Sequence, residues 1–262
     1  MTKTKLNIIK LNIITAILTL IFISCAPDNT VIPKPNNHTN PKENNQNFDN
    51  ESSKSEDLEY SNQKYQDFKL ELEKHQGNTA SKLEIIKKYL EDEQREEDAQ
   101  IAKIAQYDFL DNFKIYHYDN IRKDNRMKIK RIIYSSLNYK TQRIAILKEI
   151  LEKLNNEPEY KEIIRNFLYI IAPGIQLILE DDLKSIKNKL SAPNEEEEEE
   201  ESEKLLRFTE HDLNTKQSFA KDLNKTIADY NNNVDNIKTD VDKLANYMNE
   251  KYKDGNSLKP IY

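Results

Sequence analysis

Apolar residues recur along most of this chain at helical spacing, three and four positions apart, and no sustained two-residue alternation occurs. Tyr65, Phe68 and Leu72 make a first stripe, with Gly77 as its C-terminal stop. Ser81-Lys82-Leu83-Glu84 fits a capping box opening a helix through Ile85, Ile86, Tyr89 and Leu90. The charged run from Glu91 to Gln100 is an exposed helical stretch or a long connection. Ile101, Ile104, Phe109, Leu110 and Phe113 restore an apolar face, and IYHYDN, 115–120, reads as a loop or helix end. Met127, Ile129, Ile132, Ile133 and Leu137 share one face, with a break near Asn138. Ile144, Leu147, Leu151 and Leu154 follow at 3-4-3 spacing. Pro158 restarts a helix, since a first turn tolerates proline. Tyr160, Ile163, Ile164, Phe167, Leu168, Ile170 and Ile171 are apolar nearly all round, which marks the central buried helix. Ala172-Pro173-Gly174 is expected to kink or end it.

After Pro193-Asn194 come seven glutamates, Glu195 to Glu201, read as a solvated loop or first helical turn, or else as a strip for a basic partner. The last segment has the strictest period. Leu223, Ile227, Tyr230, Val234, Ile237, Val241, Leu244 and Met248 step 4-3-4-3-4-3-4, a heptad seam on one long helix. Asn231, Asn232 and Asn233 lower helix propensity inside it, so a bend fits there. The fold class is all-α: a helical bundle of antiparallel type with a long C-terminal helix, preceded by a disordered tether.

Composition adds two points. Of 262 residues 37% are hydrophobic and 33% charged, and only three are glycine, too few for phosphate-cradling loops. The net charge is −6, and it becomes about −9 without the three lysines of residues 1–24, a surface that repels nucleic acid.

The chain has one cysteine, and its setting is specific. Lys3, Lys5 and Lys10 precede an apolar run, Leu11 to Ile23, that is too short to span a bilayer. It ends in Phe22-Ile23-Ser24-Cys25, which resembles the lipobox of bacterial lipoproteins. That resemblance implies a signal peptide over 1–24 and lipid attachment at Cys25, with more than one acyl chain for stable anchoring. Residues 25–57 hold few sizeable apolar groups and read as a disordered tether. The bundle domain is expected over 58–254, with 195–201 as a poly-Glu loop, and 255–262 as a tail.

Chemistry is hard to find. His38, His75, His117 and His211 are scattered, so no transition-metal site, and no cofactor, is legible. Glu180-Asp181-Asp182 reads as an exposed helix face. Arg122, Lys123, Arg126, Lys128, Lys130 and Arg131 read as the polar side of an amphipathic helix, or as a patch for an acidic partner such as a glycosaminoglycan. The chain reads as a binding protein and not an enzyme.

Two stretches carry a family resemblance. RIIYSSLNYKTQRIAILKEILEKL, 131–154, and NFLYIIAPGIQLILEDDLKSI, 166–186, resemble the surface lipoproteins of the Lyme-disease spirochaete that include complement regulator-acquiring surface protein 1 and its paralogues. The resemblance implies an all-helical domain held on the outer membrane at the cell surface by its lipid. It implies a host or vector protein as partner, with complement evasion through factor H or terminal complement components as the leading version. The founding member dimerises through its last helix, which makes the seam residues Tyr230, Val234, Ile237, Val241, Leu244 and Met248 the expected partner-binding surface, homodimer included. Alternatives are an adhesin for host matrix, plasminogen or glycosaminoglycan, and a structural lipoprotein without a host ligand.

Overall fold

Helical periodicity is realised as helix over most of the described residues, with Phe109, Leu110 and Phe113 in an irregular segment instead, and the strongest stripes become the core. A computed structural model of the chain describes residues 53–115, 123–191 and 198–252, all within one unit, Asp49–Tyr262. No strand occurs among the described residues. The signal, Cys25, the tether to residue 52, most of the IYHYDN stretch, Glu195 to Glu197 and the tail lie outside them.

Helix α1, Ser53–Lys74, begins inside the expected tether, because a nucleated helix propagates at little cost beyond its last packed residue. It buries Tyr65, Phe68 and Leu72, and the Phe68 ring stacks on Tyr89 at 4.0 Å between centroids. Past its end Gly77 meets a close approach: a Cβ there would lie 2.3 Å from His75 Nε2. Helix α2, Thr79–Lys103, opens three residues before the expected capping box. Asn78 is the cap, accepting from the Ser81 backbone N–H at 3.0 Å, a role in which asparagine rivals serine. The acidic run 91–100 is helical, and it is not all exposed: Glu97 is only 3% exposed.

Helix α3, Lys123–Ser136, and α4, Thr141–Asn155, are joined by the SLNY turn. Asn138 and Tyr139 there both adopt positive φ, 52° and 55°, a left-handed step that is uncommon for asparagine and costly for tyrosine. It is held in place because the Tyr139 N–H donates to Tyr134 O at 2.9 Å and the ring packs against the core.

The central helix α5 spans Pro158–Ser191. It is long and apolar enough to cross a membrane, yet α2, α3 and the next helix all pack against its second part. The expected kink at Ala172-Pro173-Gly174 is replaced by a π-helical stretch, Asn166–Ile171, after which the helix runs on. The Ala172 N–H bonds back five residues to Phe167 O, and Pro173, which has no N–H to give, falls at the start of the resumed α-helix.

Helix α6, Glu198–Asn231, takes Glu198 to Glu201 as its first turn, so the poly-Glu run is helical from 198 on, where carboxylates suit the helix dipole. The heptad seam does not run on one helix. After Asn231 the chain turns through left-handed Asn233, Asp235 and Asn236, and a separate helix α7, Val241–Lys251, begins. Asparagine and aspartate tolerate that backbone region best after glycine. Asn233 Oδ1 accepts from the Lys238 N–H at 2.9 Å, and Asp240 caps α7 through the Asp242 and Lys243 N–H groups.

Two charged clusters cross the helix packing. Lys216 of α6 is 5% exposed, with Nζ 2.7 Å from Glu97 and 3.1 Å from Glu93 of α2. Burial alone would lower the lysine pKa, but the two carboxylates outweigh it and hold the ammonium charged. Burial also pushes the Glu97 carboxyl up, against the pull of Lys216. Further along the α5–α6 contact, Asp182 faces Asp212 beside the fully buried Thr209. Burial, and then the Asp212 charge, push Asp182 up to about 7.

Replacing Lys216 by Met leaves the Glu97 carboxylate buried without a counter-charge. In urea unfolding at pH 7 this variant should lose about 3–5 kcal/mol, and adding Glu97→Leu should restore most of it. A single-variant loss below about 1 kcal/mol would contradict the ionic account. The Asp182 carboxyl is harder to ionise folded than unfolded, so its stabilising contribution is complete below about pH 4, its unfolded value, and is lost as pH rises through about 7. Asp182→Asn should therefore gain on the parent across that window, reaching on the order of 4 kcal/mol at pH 8. Paired thermal melts at pH 4 and pH 8 read the difference directly.

Candidate functional site

The expected binding surface is mostly interior. Tyr230, Leu244 and Met248 have no exposed surface, and Ile237 is almost as deep. Val241 is partly buried against the core, and Val234, at the turn, is the one seam residue classed as exposed. The reason is the break after Asn231. It lets α7 fold back, so that both halves of the seam turn towards α4 and α5. The Tyr230 hydroxyl donates to Glu149 Oε1 at 2.8 Å, and the Lys153 and Lys238 ammonium groups stand over its ring at 5.2 Å and 5.7 Å. A partner, or a second copy, would reach these residues only if α7 separated from the bundle. What α7 presents outwards is polar: Asp242, Lys243, Asn246, Asn249 and Glu250.

The basic stretch is also engaged within the bundle. Lys130 is 7% exposed and lies 2.5 Å from Asp108 and 2.7 Å from Asp111. The same Asp108 accepts from the Tyr134 hydroxyl and the Leu110 N–H, which pins the irregular 105–115 segment onto α3. Arg131 bridges Asp98 of α2 and Glu180 of α5, and Lys128 lies 3.8 Å from that Glu180. Arg126 donates to the Asp111 carbonyl at 2.6 Å. Arg131 and Lys128 thus tie α3 to α2 and α5, and Lys130 and Arg126 tie it to the 108–111 segment, so these four of the six cations read for an acidic partner are engaged within the chain; Arg122 and the Lys123 side chain lie outside the described residues. Glu180 thus belongs to a structural network, Asp182 to the buried carboxyl pair, and Asp181 faces solvent.

The family-like YSSLNY residues do shape a concavity. A cleft of about 230 Å³ opens where α1, α2, the 138–140 turn and α6 meet. Lys216, Glu93 and Glu97 form its charged wall, Tyr89 and Tyr139 its aromatic walls, and Lys64 and Glu96 pair at its mouth. Burial pushes both tyrosine hydroxyls up, so neither serves as a base. The Ser136 hydroxyl beside it is buried without a hydrogen-bond partner, but no general base stands against it. A second, shallower cleft of about 620 Å³ lies between Phe109, Phe113 and α4, under the half-exposed Tyr107. Among the described residues no group of three or more His, Cys, Asp or Glu is placed to hold a metal ion. His75 sits at the end of α1 and His211 on the outer side of α6, while His38 and His117 lie outside the described residues. Sequence reasoning missed the Lys216 cluster. Its signal was the glutamate spacing of four at 93 and 97, which puts both on one helix face, but no sequence feature marked Lys216 as their partner.

The geometry is that of a helical domain with two surface clefts. Residues 88–260 match the family described as Borrelia Bbcrasp-1 domain containing protein. No curated protein matches the chain in sequence. A crystal structure of the membrane attack complex assembly inhibitor BGA71, from the Lyme disease agent Borreliella bavariensis, is 42% identical with a TM-score of 0.60, and the match covers 68% of this chain and 99% of that one. A native-data structure of the same protein gives 42% identity and a TM-score of 0.61, covering 69% and 98%. Borrelia spielmanii BSA64, an orthologous protein to B. burgdorferi BBA64, shares the fold at 22% identity and a TM-score of 0.55, covering 70% of this chain and 92% of that one. Both the matched span and the identity to BGA71 lead to one conclusion: this chain belongs to the Borrelia Bbcrasp-1 domain family.

Proposed function

We propose that this chain is an outer-surface lipoprotein that serves complement evasion by binding a terminal complement component and blocking assembly of the membrane attack complex, without catalysis. The observation that carries the reading is the 42% identity to a membrane attack complex assembly inhibitor over nearly all of that protein's solved chain. In this reading residues 1–24 direct export, Cys25 carries the lipid, and residues from 26 to the start of α1 hold the bundle off the membrane. Inhibition follows from occupancy. A bound component cannot present the surface that the next one needs, and the bundle does not have to change shape to prevent it.

The physical character of the surface favours a protein ligand over a polyanion. The net charge is negative, and Lys128, Lys130 and Arg131 of the basic stretch are paired internally. The seam is buried in the domain's own core, which leaves the outer faces of the remaining helices, α6 among them, and the two clefts as contact surface.

The lipid-free chain, residues 26–262, should lower lysis of erythrocytes at least twofold at micromolar concentration when only purified terminal components are supplied. Unchanged lysis with retention of factor H from serum would replace terminal-pathway inhibition by regulator capture. Neither effect would remove complement from the reading. Palmitate labelling of the full chain in the spirochaete should be lost on Cys25→Ala, and protease added to intact cells should cleave the parent domain. Label that persists in the variant, or a protected domain, would overturn the anchored outer-surface arrangement.

A further inference from the structure

The central helix has one side that nothing among the described residues covers. Ile170 and Leu177 are 46% and 44% exposed, the same face two turns apart. Between them lies Gly174, where an added Cβ would meet no atom within 4 Å. The other sides of this part of α5 are taken by α2, α3 and α6. Open apolar side chains on the most apolar helix of a bundle mark a docking face.

The course of α7 indicates what covers it. Asp242, near its start, accepts from the Tyr160 hydroxyl at 2.5 Å, and Tyr252, just past its end, packs on Phe167 at 4.8 Å. The chain therefore travels along α5 in the same direction as α5 itself. Tyr252 is firmly held, 6% exposed and 2.8 Å from the Thr226 hydroxyl, so the exit point is fixed. Ten residues remain, 253–262, and they end in Leu258, Pro260, Ile261 and Tyr262. From Phe167 to Leu177 is about 15 Å along the helix, and ten residues reach roughly 30 Å. The family match also continues to residue 260, which includes most of this segment in the domain.

We propose that the C-terminal segment 253–262 docks along α5 and covers Ile170, Gly174 and Leu177 with its terminal apolar residues. The segment departs at the right place, points the right way, is long enough, and carries the apolar groups that the open face lacks. Gly174 provides the shallow point at which a backbone or a proline ring passes close to the helix.

The test uses the lipid-free chain, residues 26–262, which contains no other cysteine. Leu177→Cys combined with Leu258→Cys or with Ile261→Cys should form an intramolecular disulfide under mild oxidation in at least one pair, seen by mobility and peptide mass. The same tail cysteines paired with Leu70→Cys, exposed on α1, should not. Independently, Leu177→Asp should lower the urea midpoint of the 26–262 chain while leaving a chain that stops at Tyr252 unchanged. Absence of a disulfide in both pairs, an intermolecular disulfide only, or equal midpoint shifts in the two chain lengths would overturn the proposal. The intermolecular product would assign the face to a second copy.

Discussion

Everything in this bundle is arranged around the need to cover α5. With no second cysteine to form a disulfide, stability rests on packing, and no other helix carries so much apolar surface on so many sides. Three helices answer it along Ala172–Ser191, while α4 and α7 serve its first turns. The course of the chain follows from that requirement more than from any pairing preference of the outer helices, several of which are too polar to be stable alone.

Charge then fixes how those helices sit. An apolar interface fills equally well in several rotations, whereas Lys216 satisfies Glu93 and Glu97 in one. Arg131, reaching both Asp98 and Glu180, ties α3 to α2 and α5 in the same way. Such pairs add little net stability, because desolvation offsets most of their attraction. Their effect here is to specify register. For function this means that a surface presented to a partner is presented in one geometry, and also that charges which look available in the sequence are already occupied.

The all-α class and most core positions were legible from periodicity, because a stripe at 3.6-residue spacing has one structural solution. Ile144, Leu147, Leu151 and Leu154 were read and are all buried. What periodicity cannot see is a change of direction that leaves spacing intact. The 4-3 pattern from Leu223 to Met248 continues through the turn at 232–240, so one seam was read where two helices fold back. The asparagines announced a bend but not its size. The acidic run hid the opposite case: Glu97 looked solvated because its partner lies 119 positions away. For the candidate site, residue types in YSSLNY marked the family, but the cleft beside it depends on α1 and α6, which no local signal connects to that turn.

The π-helical stretch Asn166–Ile171 carries a consequence for how the chain can change over time. A wide turn takes one residue more than an α-turn, and with that residue absorbed Ile164, Leu168, Ala172 and Ile175 are all buried. Every residue from Ala172 to Ser191 inherits its orientation from that extra residue. Loss of a single codon there would return the turn to ordinary α-helix with its phase kept, whereas gain of one more between Arg165 and Ala172 would turn the following twenty residues by roughly 100° and present Ile175, Leu179 and Ile186 to water. Point substitutions at outward positions of the same helix leave its phase untouched. The outward positions are therefore open to drift, while the phase of this segment is held fixed by the core.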